Sequence, residues 1–287
     1  MPAIQQERHD SPLGRWEFAH REPIPELRGI VRHYVGWHER TPAPLRRRQM
    51  PIAAIPVILS FGLPFELLDP HDPDRCSRRR RVSFVAGAHD QFSIVEHDGL
   101  SHGVQIYFTP LGARRVLGLP LRELTNQVVP FEDVLGEPVA RELVERLALA
   151  PGWPERFALL DATICARLRE AREPAPALAW AWRRLEQSDG RLPIGVLAQE
   201  LGCSRRHLVT QVHEQLGLPP KTLARILRFN RAVELLGRDD GTRIAEIALD
   251  CGYYDQAHLN RDFRAFAGDP PNAFLARRLP DGAGFAA

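Results

Sequence analysis

Two stretches of this chain, IGVLAQELGCSRRHLVTQV (194–212) and IAEIALDCGYYDQAHLNRDF (244–263), carry one pattern twice. Each has an apolar pair, an alanine (Ala198, Ala248), a glycine (Gly202, Gly252), a helix-starting polar residue (Ser204, Asp255) and a leucine (Leu208, Leu259). A glycine ends a helix because it tolerates the left-handed conformation there. A serine or aspartate then accepts a hydrogen bond from a free backbone N–H of the next helix. The small alanine lets the two helices cross closely. Helix, glycine turn, capped helix is the helix-turn-helix pattern. One copy is a weak signal. Two copies joined by the amphipathic stretch KTLARILRFNRAVELL (221–236) are far more specific.

The surrounding sequence is helical almost throughout. Helices are expected near 177–187, 193–201, 205–215, 220–236, 243–250, 255–266 and 271–277, with breaks at Asp189-Gly190, Gly202, 217–220, 239–241, Gly252 and 268–271. At about 100° per residue, Leu259, Phe263 and Phe266 share one face of the last long element, and Ala257, Asn260, Arg261 and Arg264 project from the other. In the first unit Leu208 and Val212 turn inward, so Arg206, Thr210 and His213 turn outward with Val209 at the edge. A lone arginine on such a face is ordinary solvated surface. Two such faces on paired units point to a charged partner.

Residues 177–278 resemble the DNA-binding domain of the AraC/XylS family of bacterial transcription regulators. LGLPPKTLARILRFNRAVELL is similar to the family's connecting helix with its arginine and alanine signature, here Arg228 and Ala232. The second unit resembles the more uniform half of the family pattern at Gly252, Gln256, Arg261, Phe263, Gly268, Pro271 and Phe274. The first unit departs from it: Thr210 stands where arginine is common, and Val212 where phenylalanine usually packs. The resemblance implies double-stranded DNA as partner, with Arg205, Arg206, Val209, Thr210, His213, Gln256, Ala257, Asn260, Arg261 and Arg264 as the DNA-binding set. Arginine can fork onto guanine, Asn or Gln can pair with adenine, and a small residue can meet the thymine methyl. A connecting helix of roughly 16 residues is about 24 Å long, compatible with two recognition helices in successive major grooves about 34 Å apart. Arg261 is expected to carry recognition in the second unit. Thr210 offers no bidentate fork, which leaves Arg206 as the main reader of the first.

The first half reads differently. MPIAAIPVILSFG (50–62), VSFVAG (82–87), FSIVEH (92–97) and GVQIYFTP (103–110) are β-branched and aromatic runs punctuated by Pro, Gly and Asp. DPHDPDRCSRRRR (69–81) reads as an exposed loop. From Leu111 the pattern turns helical, placing Val139, Leu143 and Leu147, then Phe157, Leu160, Ile164 and Leu168, on single faces. These two faces are the candidates for a dimer interface. Pro174 and Pro176 mark an interdomain linker that few contacts are expected to cross. The expected fold is α+β: a β-rich domain over 1–173 (strands to 110, helices 111–173), an all-α domain over 174–278 and a flexible tail over 279–287. The family resemblance implies that the first domain senses a small-molecule effector, dimerises and is cupin-like, and that RNA polymerase is a further partner; segments 27–37 and 108–129 are similar to regulators of this kind.

Charge adds a modest signal. Residues 177–278 hold 15 basic and 12 acidic residues, against 23 and 23 over 1–176, so the basic excess lies in the helical third, where it can meet phosphates. Cys76, Cys165, Cys203 and Cys251 form no C-x-x-C pair and read as reduced thiols. Eleven histidines include no H-x-H pair of the kind a cupin metal site needs; His207, His213 and His258 lack ligand spacing as well. No G-x-S-x-G elbow, phosphate loop or HExxH helix occurs, so neither metal, cofactor nor enzyme activity is expected. The alternative is a DNA-targeted enzyme or repair protein that uses Cys76, which the neighbouring arginines would activate. No apolar run approaches the roughly 20 residues of a membrane span and no signal-peptide order opens the chain, so a cytoplasmic location is expected.

Overall fold

The computed structural model describes residues 2–68, 79–238, 241–279 and 284–287. Its first half is built on strands β1 (Ile4–Ser11), β2 (Gly14–Arg21), β3 (Val31–Arg40), β4 (Leu45–Gln49), β5 (Ile55–Ser60), β6 (Phe65–Leu68), β7 (Arg79–Arg81), β8 (Phe84–Ala86), β9 (Ser93–His97), β10 (Leu100–Phe108) and β11 (Val128–Pro130). They form one sheet in the order β1-β2-β3-β10-β5-β8-β11 and a smaller one in the order β4-β9-β6-β7. Neighbouring strands are antiparallel.

Strand alternation gives the larger sheet two buried faces. β10 sets Gln105 beside Val35 and Ile58, and Ile106 beside Tyr34 and Val57. Val35, Trp37, Ile58 and Tyr107 turn toward the smaller sheet and line a cavity between the two. Tyr34, Val57, Leu59, Val104, Ile106 and Phe108 turn the other way and join the core under the helices. A strand covered on both faces reads as a continuous apolar run rather than an alternation, as IPVILS of β5 does.

Helices α1 (Pro110–Leu117), α2 (Phe131–Leu135), α3 (Glu137–Leu149) and α4 (Trp153–Glu170) cover that second face. Trp153 fills the space over Gly36, where an added Cβ would lie 2.3 Å from its ring. Arg21 on β2 is buried in an ion pair with Asp161 of α4, and the Tyr34 hydroxyl donates to the same carboxylate at 2.8 Å. This corrects the expected dimer faces. Leu143, Leu147, Phe157, Leu160 and Ile164 are buried in the chain's own core, and Ala140, not Val139, completes the α3 face; Val139 is 49% exposed.

Helices α5 (Pro176–Gln187), α6 (Ile194–Glu200), α7 (Arg205–Leu216), α8 (Pro220–Leu236), α9 (Ile244–Asp250), α10 (Gln256–Ala267) and α11 (Pro271–Ala276) make the second half. The β-rich half and all-helical half agree with the expected α+β class.

Three details depart from expectation. Arg79, Arg80 and Arg81 are strand β7, paired to β6, because Arg80 also bonds Glu66 at 3.0 Å; residues 69–78 of the expected loop lie outside the described residues. The tail is packed where it is described: Phe285 stacks on Phe274 at 4.1 Å, and its carbonyl accepts from the Arg48 N–H at 2.9 Å. The halves are also joined by many contacts. Asn230 of α8 accepts from the Ala53 N–H at 3.0 Å and donates to the Pro51 carbonyl at 2.9 Å. Arg48 bonds Asp269 at 2.8 Å and lies over Phe92, and Arg32 reaches Glu186 at 2.5 Å. One continuous apolar core runs through both halves. The linker prolines break a helix, but apolar area on the facing surfaces closes the gap around it.

Candidate nucleic-acid interface

The two turns are built from backbone bonds that the sequence repeat encodes. Gly202 and Gly252 take φ of +63° and +76°, where a side chain is strained. Past each glycine the chain returns to its first helix: the Cys203 N–H donates to the Ala198 carbonyl at 3.0 Å, and the Tyr253 N–H to the Ala248 carbonyl at 2.9 Å. Ser204 Oγ accepts from the His207 N–H at 3.2 Å, and Asp255 Oδ1 from the His258 N–H at 2.7 Å. Both caps satisfy an orphan donor at the start of a recognition helix.

The inner faces match the expected phasing. Leu208, Val212 and Leu216 of α7 are buried, as are Leu259, Phe263 and Phe266 of α10. Phe229 on α8 centres the second cluster, 4.9 Å from Phe263 and 5.3 Å from Phe266. Recognition helix and connecting helix therefore pack as one rigid layer, which fixes the outward side chains in space.

On the outer face, Arg205, Arg206, Thr210, Gln256, Ala257, Arg261 and Arg264 are exposed, and Val209, His213 and Asn260 are half-buried. The structure thus gathers the ten candidates on two outward helix faces, one per unit. Among the described residues Arg261 makes only a long bond to the Ala257 carbonyl, 3.4 Å. Asn260 keeps a buried Oδ1 without a partner among the described residues.

Sequence reasoning missed the residues that hold this surface from behind. Asp262 is 3% exposed and accepts from Arg225 Nε at 3.0 Å and Nη2 at 2.7 Å, tying α10 to α8. An acidic residue in the buried phase of an otherwise apolar face was the available signal. Arg228, half of the arginine and alanine signature, lies over the Tyr253 ring at 5.4 Å. Tyr254 is an extra residue in the second turn, absent from the first, and is 88% exposed just before the Asp255 cap. The C-terminal end of α7 meets the first half: Arg122 pairs with Glu214 at 2.6 Å, Arg114 donates to Gln215 at 2.8 Å and Thr125 to the Gly217 carbonyl at 2.6 Å.

Other chemistries find less support in the side chains. Among the described residues no group of three or more His, Cys, Asp or Glu is placed to hold a metal. Cys76 lies outside the described residues. Burial pushes the Cys251 thiol up to about 11 and raises Cys165 as well, the opposite of a poised thiolate. Among the described residues no helix is long and apolar enough to cross a membrane.

Comparison with known proteins bears on both halves. A helix-turn-helix domain family matches residues 197–277, and a domain of unknown function (DUF6597) matches residues 19–130. No curated protein matches the chain. Among solved structures, a transcriptional regulator from Chromobacterium violaceum, described as an AraC-type DNA-binding domain-containing protein, is 30% identical over 37% of this chain and 96% of that one, with a TM-score of 0.33. The C-terminal domain of AraT, a response regulator from Geobacillus stearothermophilus, is 25% identical over 38% of this chain and 91% of that one, with a TM-score of 0.35. ToxT from Vibrio cholerae, solved with an unsaturated fatty acid bound, is 11% identical over 83% of this chain and 96% of that one, with a TM-score of 0.45.

Proposed function

We propose that this chain, which belongs to the helix-turn-helix regulators of AraC type, regulates transcription by reading two successive major grooves with α7 and α10. The observation that carries the reading is the pair of outward faces. Arg206 and Arg261 stand exposed on two recognition helices whose backs are locked to one connecting helix. A helix that enters the major groove needs such a free polar face and a rigid support.

Arg261 and Arg206 are assigned to base edges, and Arg205, Arg264, Gln256 and Tyr254 to phosphate or groove-wall contact at the helix starts and flanks. Residues 174–278 form the DNA-binding unit. Residues 1–173 form the sensing and dimerising unit, whose cavity between the two sheets holds a small-molecule effector. Two copies of the chain on one operator, with RNA polymerase as a contact of the bound complex, complete the reading. No enzymatic step is assigned to either half.

Selection of binding sites from a random DNA pool by the full chain, followed by anisotropy titration, tests it. A shared motif spanning two major grooves is expected, with Arg261→Ala binding it more weakly. Selected sequences without a motif, bound no better than random duplex, would overturn the reading.

A further inference from the structure

Helix α3 buries one side and exposes the other. Ala140, Leu143 and Leu147 enter the core, and Val144 leans against it. On the outer side Val139, Glu142, Glu145, Arg146 and Leu149 are all exposed. Aliphatic residues scattered singly over a surface are ordinary, but these two are spaced. Val139 is 49% exposed and Leu149 84% exposed. With Glu142 and Arg146 between them they recur at intervals of three, four and three residues. That is the a, d, a, d spacing of a coiled-coil seam. At about 100° per residue the four side chains fall within about 80° of one another.

Their order also has a symmetry. In an isologous contact residue i of one copy meets residue j of the other, and j meets i. Turning α3 end for end about its midpoint at Val144 sets Val139 against Leu149 and Glu142 against Arg146, because both pairs are centred on that residue. Each charge then meets its opposite, and each aliphatic side chain meets another. A parallel pairing sets Glu142 on Glu142 and Arg146 on Arg146, and like charges in contact exclude it. Within one copy Arg146 and Glu142 lie 3.5 Å apart with side chains 57% and 71% exposed, so both are open to a second partner. One residue opposes the pairing. Glu145 stands beside the seam next to the symmetry axis, where it meets its own copy.

We propose that the outer face of α3 packs, antiparallel, on the same face of a second copy of this chain. The proposal rests on the reading of the first half as the dimerising unit and adds the surface. One helix of 13 residues per copy is a small contact, of the transient class below about 1,200 Å², and the Glu145 pair weakens it further. Two copies seated side by side on one operator raise each other's effective concentration. The helix contact then adds cooperativity to DNA binding.

Sedimentation equilibrium of the full chain without DNA tests the surface apart from the DNA-binding reading. At roughly 10–500 μM, where a contact of this size associates, a monomer–dimer equilibrium is expected. Glu142→Arg and Arg146→Glu each place like charges across the axis, and each is expected to weaken dimerisation roughly tenfold. An equimolar mixture of these two variants re-forms both ion pairs and is expected to associate at least as tightly as the parent. The chain carrying both substitutions is expected to dimerise like the parent. Leu149→Gln should weaken the dimer and Glu145→Gln should tighten it. All these positions are exposed, so the melting curves should match the parent's. A dimer that none of the substitutions shifts would overturn the α3 surface and leave dimerisation standing. Single variants that weaken the dimer but are not rescued by mixing would overturn the antiparallel pairing. A chain that stays monomeric over the whole range would overturn both the surface and the dimerising role.

Discussion

Thr210 and Gln211 occupy in the first helix-turn-helix unit the positions that Arg261 and Asp262 fill in the second. Apart from the extra Tyr254 of the second turn, the two backbones repeat closely, with a glycine at φ > 0, the same side-chain cap and the same inward leucine. Their side chains divide the labour differently. In the second unit Asp262 clamps α10 to Arg225 on the connecting helix, and Arg261, its neighbour in sequence, is left free on the opposite face. In the first unit Gln211 is exposed and makes no such clamp among the described residues. There the end of α7 is held by the other half of the chain through Arg122, Arg114 and Thr125. The second unit is thus oriented by its own domain, and under the proposed function it carries the stronger reader. The first would then carry a weaker one, and it borrows support from the first half of the chain. Support that crosses between halves is also support that a ligand can alter, since it can shift an equilibrium only through contacts that differ between states.

The largest expected effect comes from the clamp. Asp262→Ala leaves Arg225 with an unpaired charge close to a buried site. Breaking a buried pair costs about 3–5 kcal/mol, and the partial exposure of Arg225 brings the expectation down to about 2–3 kcal/mol. Gln211→Ala, its counterpart, should stay within about 0.5 kcal/mol. Denaturant melts of the two variants measure this directly, and equal losses would erase the distinction between the units. Next is Arg261→Ala, which should lose roughly 1–3 kcal/mol of binding to the selected site with the fold unchanged; anisotropy titration against the parent reads it, and equal affinity would remove Arg261 from recognition. Thr210→Arg should then narrow the gap from the other side, gaining about 1 kcal/mol or changing the preferred bases in that half-site. Repeating the site selection with this variant shows which, and no change in either would count against the docking of α7. The smallest effect belongs to Arg122→Glu. An exposed pair is worth about 0–1 kcal/mol, and Glu214→Arg in the same chain should restore what is lost. Hydrogen exchange over 205–216 should rise in the single variant and return in the double; exchange that does not move would mean that the first half does not support α7.

Legibility in the sequence followed periodicity. The C-terminal helices were placed to within a residue or two, because Gly202, Gly252, Ser204 and Asp255 each act on the backbone next to them and need no distant partner. The strands of the first half were legible where apolar and β-branched residues run together, as in β5, β8, β9 and β10. β1, β2 and β4 carry polar and charged side chains such as Arg46, Arg47 and Arg48, whose partners Glu96, Glu39 and Asp269 lie on other elements; no local pattern announces those pairs. The same reason hid the contacts between the halves. Asn230 and Arg48 look like surface residues of a helix and a strand until the opposite half is laid against them. The ten outward residues of the recognition faces were legible, since helical phasing alone decides which side they take. The groups behind them were not, because Arg225 and Asp262 meet only across two helices. The cavity was invisible for a further reason: its aromatic lining is drawn from five separate strands, each contributing one ring.

Hydroxyl-radical footprinting of the full chain on its selected site tests the central claim, that α7 and α10 read successive major grooves, most directly. Two protected windows about 10–10.5 base pairs apart on one side of the duplex are expected. Arg261→Ala should weaken one window, and Arg206→Ala the other. A single window, or both substitutions weakening the same one, would contradict the account.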